Sequence, residues 1–102
     1  MSRHRKYIDY SLLQKVEEAD IENVQSKLIK MLSDARKATG LSQRELAYKC
    51  GATQSEISRL ENGKRSSFNL VLSVAAALQS QLLLVPEEKI KAVQAAVSGG
   101  KK

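Results

Sequence analysis

Apolar residues recur at helical spacing along most of this chain. Ile21, Val24, Leu28, Met31 or Leu32, and Ala35 follow one another at three- and four-residue steps, which gathers them on one helix face. Lys27, Lys30, Asp34 and Lys37 populate the other faces. The pattern predicts a helix over residues 21–39, with Asp20 as its cap and Gly40 in the left-handed position after it. Leu41 can close the hydrophobic contact of that cap. A second helix is expected over residues 43–49, with Leu46 and Ala47 inward. A third is expected over residues 54–61, with Ile57 and Leu60 inward, before Asn62-Gly63 breaks the chain. A fourth starts at Ser66 or Ser67 and runs to about Leu78. Its broad apolar face holds Phe68, Val71, Leu72, Val74, Ala75 and Leu78.

The two ends read differently. Residues 1–6 form a basic arm that either frays or touches phosphates. A short helix is expected from Asp9 or Ser11 to Ala19, with Leu12, Leu13 and Val16 as its stripe, there to pack on the domain or meet a partner. Near the other end, residues 81–85 are a short apolar run stopped by Pro86. Periodicity does not separate strand from helix here. The Pro favours a strand, because the residue before it is disfavoured in a helix. A lone apolar strand leaves backbone groups unpaired and invites a second chain, so Leu82, Leu83, Leu84 and Val85 are the candidate dimerisation residues. Pro86-Glu87-Glu88 suits the first turn of a further helix, to about Val97. Residues 98–102 are expected to be disordered. Three segments result: 1–20 (arm and short helix), 21–80 (the main domain), and 81–102 (strand, helix and tail).

Two helix starts eleven residues apart carry the chemistry. Ser42-Gln43-Arg44-Glu45 and Thr53-Gln54-Ser55-Glu56 each have the form of a capping box. Between them lie one short helix and a turn at Gly51. Two short helices joined by such a turn make a helix-turn-helix, whose second helix enters the DNA major groove.

Composition sharpens this reading. The 102 residues suffice for one domain with a modest core. With no Trp and one Phe, that core must come from Leu, Ile, Val and Ala, and one Pro with few Gly favours a mainly helical chain. The single Cys50 excludes an intrachain disulfide and reads as a packing residue. No apolar run approaches membrane-spanning length, and the start of the chain lacks a signal-peptide pattern, so a cytoplasmic location is expected. The net charge is +6, and residues 21–80 carry nine Lys and Arg against five Asp and Glu. The positive excess sits mostly on the segment with the two boxes, which suggests a polyanionic partner.

With Ile57 and Leu60 inward, the third helix must present Gln54, Ser55, Ser58 and Arg59 outward. Gln can bond adenine bidentately, Arg can bond guanine bidentately, and Ser can serve either, each good bidentate pair being worth about 1–3 kcal/mol of discrimination. Gln43, at the preceding helix start, has backbone N–H groups and an amide suited to a phosphate oxygen. Asn62, Lys64 and Arg65 follow the third helix and can grip the next phosphates. Nothing points to an enzyme. His4 has no metal-ligand neighbours, and Glu17-Glu18 and Glu87-Glu88 are adjacent pairs that point apart on helices. Glu45 and Glu56 are committed as caps. No metal or cofactor is expected.

Residues 41–64, LSQRELAYKCGATQSEISRLENGK, resemble the helix-turn-helix of the Cro/C1-type (Xre) repressor family. The likeness rests on the Gln at each helix start, Leu46-Ala47, the Gly51 turn, Ile57-Ser58 and Leu60-Glu61-Asn62-Gly63. With flanking helices it covers about residues 22–79. Cys50 stands where that family usually has an aliphatic residue. The resemblance implies a lambda-repressor-like domain of four to five helices, acting as a homodimer on a near-palindromic operator. It implies base reading by Gln54, Ser55, Ser58 and Arg59, and phosphate contact by Gln43, Asn62 and Lys64. Residues 77–86 are similar to the end of HipB-type antitoxin repressors, where a strand pairs with its twin; many of those have Gly where Gln79 stands. HigA-type antitoxins also carry this motif. The expected function is a DNA-binding repressor that serves as the antitoxin of a toxin–antitoxin module and regulates its own operon, with a toxin encoded by the adjacent gene as a further partner. The alternative is a stand-alone Xre-family or phage-type regulator without a toxin.

Overall fold

Side-chain caps fix where most helices of this chain begin. In the computed structural model, which describes residues 9–99, α1 spans Glu18–Thr39, α2 Gln43–Cys50, α3 Gln54–Glu61, α4 Phe68–Ala77 and α5 Ile90–Gly99. Two 3₁₀ turns, Tyr10–Leu12 and Glu87–Lys89, complete the regular structure of the described residues, which contain no strand. The mainly α class and the helix-turn-helix order agree with the sequence pattern. No helix among the described residues is long and apolar enough to cross a membrane. The basic arm of residues 1–6, His4 within it and residues 100–102 lie outside the described residues.

Both capping boxes form. Ser42 Oγ accepts from the Glu45 N–H at 3.0 Å, and the Glu45 carboxylate accepts from the Ser42 N–H at 2.8 Å. Thr53 Oγ1 accepts from the Glu56 N–H at 3.1 Å, and the Glu56 carboxylate accepts from the Thr53 N–H at 2.9 Å. Between the boxes Gly51 takes a left-handed φ of 66°, a conformation that Gly adopts without penalty. Ser67 caps α4, its hydroxyl accepting from the Leu70 N–H at 3.0 Å.

The buried core is Leu32 of α1, Leu46 and Ala47 of α2, Ile57 and Leu60 of α3, and Val74, Ala75 and Leu78 at the end of α4. Leu28, Ile29, Ala35, Leu41, Cys50, Leu70, Val71 and Ala77 pack around it. Thus α2 lies against α3 and α4, and α1 lies along α3.

Several boundaries differ from the sequence pattern. α1 begins at Glu18 because Asp20, expected as its cap, sits inside the first turn and accepts a hydrogen bond from the Glu17 N–H at 3.1 Å. The separate N-terminal helix does not form. Asp9 caps a single 3₁₀ turn through Ser11, and Leu12, Leu13 and Val16 are exposed. A short helix draws its stability from burying a stripe, and this stripe meets no core. Ile21, Val24 and Met31 are exposed too, so α1 meets the core only from Leu28 onward, through Leu28, Ile29, Leu32 and Ala35. Phe68 and Leu72 lie outside the buried face of α4. α4 ends in a left-handed residue, Gln79 with φ 55°, and the Ser80 N–H returns to the Ala75 carbonyl at 2.8 Å. This is the reversal for which Gly is favoured.

Residues 81–85 are neither strand nor helix. A ladder needs a second strand, and the described residues supply none. Leu83 is 78% and Leu84 100% exposed, whereas Val85 is half-buried. Ser98 and Gly99, expected to be disordered, close α5. The chain's radius of gyration is 18.0 Å, against about 13 Å for a compact domain of this size. The segments before and after the core contribute no buried residue to it.

Candidate nucleic-acid interface

The roll of α3 is set by two side chains. Ile57 is fully buried and Leu60 nearly so, which turns Gln54, Ser55 and Arg59 to the solvent. Gln54, Ser55 and Arg59 make no side-chain hydrogen bond among the described residues. Ser58 is different. It is half-buried, and its hydroxyl accepts from the Asn62 amide at 3.4 Å. Two of the predicted contact residues, Ser58 and Asn62, therefore lean on each other.

The chain after α3 turns sharply. Gly63 has φ 78°, the Lys64 N–H returns to the Arg59 carbonyl at 2.9 Å, and the Gln25 amide of α1 donates to the Gly63 carbonyl at 3.3 Å. This reversal leaves Asn62, Lys64 and Arg65 exposed in the segment that follows α3. Arg59 and Arg65 line the same shallow depression, of about 190 Å³, with Glu56, Ser66, Ser67 and Leu70. The ion pairs among the described residues are Lys30–Asp34 and Arg36–Glu61, so Arg59, Lys64 and Arg65 are cations outside any ion pair, two of which, Arg59 and Arg65, share that depression.

Gln43 is held, not free. Its amide nitrogen donates to the Glu61 carboxylate at 3.0 Å. The same carboxylate accepts from Arg36 Nε at 2.7 Å and Nη2 at 3.0 Å, while Arg36 Nη1 donates to the Leu41 carbonyl at 2.9 Å. The Arg36 and Glu61 side chains are only 11% and 10% exposed. Burial alone would raise the Glu61 carboxyl, but the hydrogen bonds from Arg36 and Gln43 and the charges of Arg36 and Lys37 outweigh it. Together they hold the group below its ordinary value of 4.5. The hydrogen bond to Glu61 in turn pushes the Arg36 guanidinium further up. Arg36 carries no local signal of this role, since its partners stand 25 and five residues away. Cys50 is half-buried, and burial pushes its thiol up, as suits a packing residue rather than a nucleophile.

A helix pinned by two buried aliphatic residues, its polar face bare, follows a capped helix and a glycine turn. Residues 13–82 match the helix-turn-helix domain family. The chain belongs to that family. The helix-turn-helix chain is also 35% identical over 68 residues to an uncharacterised HTH-type transcriptional regulator, y4dL, of Sinorhizobium fredii (strain NBRC 101917 / NGR234). The alignment covers 66% of this chain and 35% of that protein, so it spans about a third of the relative's length.

The depressed Glu61 value links this domain's stability to pH. A carboxyl with a lower value in the folded than in the unfolded state favours folding when ionised. Its contribution is complete above pH about 4.5 and lost as pH falls through the folded value. Thermal unfolding followed by circular dichroism from pH 7 to 3 should show a midpoint that falls below pH about 4.5. Glu61→Gln should flatten that fall, and an identical acid profile in the variant would exclude Glu61 as its source.

Proposed function

We propose that this helix-turn-helix chain is a sequence-specific DNA-binding transcription regulator that represses by occupying a promoter. The observation that carries the reading is the bare outward face of α3. Gln54, Ser55 and Arg59 are exposed there and uncommitted, Arg65 shares a depression with Arg59, and Lys64 is exposed in the turn that follows. Arg59 and Gln54 offer bidentate pairing to guanine and adenine edges, and Ser55 and Ser58 offer hydroxyls. Lys64, Arg65 and Asn62 are suited to phosphates, which position the protein rather than read sequence. The relative's name, an HTH-type transcriptional regulator, supports the same reading, and the resemblance to Cro/C1-type repressors gives its finer form.

The regulator acts as a homodimer in this reading, with two α3 helices in successive major grooves about 34 Å apart. Leu82, Leu83, Leu84 and Val85 supply the pairing surface. Their segment is neither helix nor strand, it pairs with no strand among the described residues, and Leu83 and Leu84 are bare. Contiguous exposed apolar surface of this kind marks an interaction site.

A toxin-masking role deepens the proposal. Leu12, Leu13, Val16, Ile21 and Val24 are exposed and apolar, and none contributes to the core. This surface lies at the opposite end of the sequence from the pairing segment, which leaves it for a toxin encoded beside this chain. Without such a toxin the protein is a stand-alone regulator.

In mobility-shift titrations against the DNA upstream of its own gene, the chain should prefer that DNA over a scrambled duplex, and affinity should fall steeply with salt. Arg59→Ala should weaken specific binding by about 1–3 kcal/mol with the melting temperature unchanged; undiminished affinity would remove Arg59 from the reading face. Sedimentation should give a dimer for the parent chain and a monomer for Leu84→Asp, since a buried unpaired charge opposes association. A variant that stays dimeric would place the interface elsewhere. Co-expression with the product of the adjacent gene should yield a complex and rescue growth, and the absence of both would leave the stand-alone regulator.

A further inference from the structure

We propose that Glu61 is a positioning residue for the DNA backbone: clamped by Arg36 of α1, its carboxylate fixes the Gln43 amide at the start of α2 so that nitrogen, not oxygen, is presented there. The proposal rests on the reading that the α2 N-terminus faces a phosphate. A glutamine amide rotates about its last torsion and offers either its oxygen or its nitrogen. Only the nitrogen attracts an anion. Gln43 Nε2 lies 3.0 Å from a Glu61 oxygen, and a carboxylate accepts from N–H but repels an amide oxygen, so the orientation is decided. One N–H is spent on Glu61, and the second is left for a phosphate oxygen.

Arg36 makes this arrangement compatible with DNA. A lone carboxylate near the phosphate path would repel it. The two hydrogen bonds from Arg36, at 2.7 and 3.0 Å, neutralise that charge inside the domain. The third bond, to the Leu41 carbonyl at 2.9 Å, ties the same guanidinium to the loop that leads into α2. The free amide is therefore ordered before DNA arrives, and binding does not bear the cost of ordering it.

A double-mutant cycle tests this, with the full chain and a mixed-sequence DNA duplex followed by fluorescence anisotropy over a salt series. Gln43→Ala and Glu61→Gln should each weaken binding by about 3- to 10-fold, the range for freeing one side chain. In the Gln43→Ala background, Glu61→Gln should add no further loss, because its effect passes through Gln43. An equal loss in both backgrounds overturns the proposal, as does an unchanged affinity for either single variant. Should Glu61→Gln fail to fold, the pair Arg36→Met with Glu61→Leu replaces both charges with apolar groups, a change that buried ion pairs often tolerate. That pair should keep the parent's melting temperature yet lose the same 3- to 10-fold in binding. Retained binding overturns the proposal. Failure of the parent chain itself to bind any duplex would instead overturn the DNA-binding reading beneath it.

Discussion

One carboxylate holds the geometry of this domain. Glu61 closes α3, and it accepts three hydrogen bonds, two from Arg36 of α1 and one from Gln43 of α2. Burying two charges is costly, and the attraction between them repays that cost only when the geometry is good and the remaining donors are satisfied. Here the guanidinium donates bidentately to Glu61 and once to the Leu41 carbonyl. Such a pair adds little net stability over apolar residues of the same shape, yet losing one partner costs about 3–5 kcal/mol. Its value is therefore directional. Ile57 and Leu60 set how α3 is rolled, but aliphatic contacts tolerate sliding. The bidentate pair does not, because the planar guanidinium fork matches one carboxylate orientation. Together the two constraints fix both the roll and the position of α3.

The parts of this fold legible in the sequence are those whose causes lie within four residues. Each capping box is a hydroxyl and a glutamate three positions apart, and α2 and α3 are where those pairs put them, while α4 starts after the hydroxyl of Ser67 alone. The Gly40 and Gly51 reversals are equally local. What escaped has distant causes. The Arg36–Glu61 pair joins residues 25 apart, and Gln43 reaches Glu61 across 18, so Gln43 reads from sequence as a free donor when it is a held one. The stripe of Leu12, Leu13 and Val16 has helical spacing, but spacing does not reveal that no core lies beneath it. Asp20 illustrates a closer ambiguity. An acidic residue near a helix start can be the cap or the residue that reaches back to it, and the second role moves the boundary three residues.

Residues 81–85 show the same limit in another form. An apolar run before a proline fits a strand, but a strand exists only through its neighbour. Within the described residues the run belongs to no regular element and pairs with no strand. The structure thus separates two properties that the sequence merges: the apolar run belongs to the chain, and a ladder would belong to whatever pairs with it.

The distribution of burial then bears on how DNA reading is controlled. Every fully buried residue of the described chain lies between Leu32 and Leu78, so the domain that carries α3 has its own core. The apolar residues outside it, from Leu12 to Val24 and from Leu82 to Val97, are mostly exposed. They do not hold α3 in place, and their burial by association need not distort it. In the proposed dimer, pairing through them would instead set how many α3 helices one assembly carries. In the proposed reading one α3 would offer a few base contacts of about 1–3 kcal/mol each. Joining two makes the second engagement intramolecular, at an effective concentration far above that of free protein. In such an arrangement the interface at residues 82–85 sets affinity by mass action while α3 sets which sequence is read. A partner competing for the exposed apolar segments would then regulate occupancy without touching a base-reading side chain.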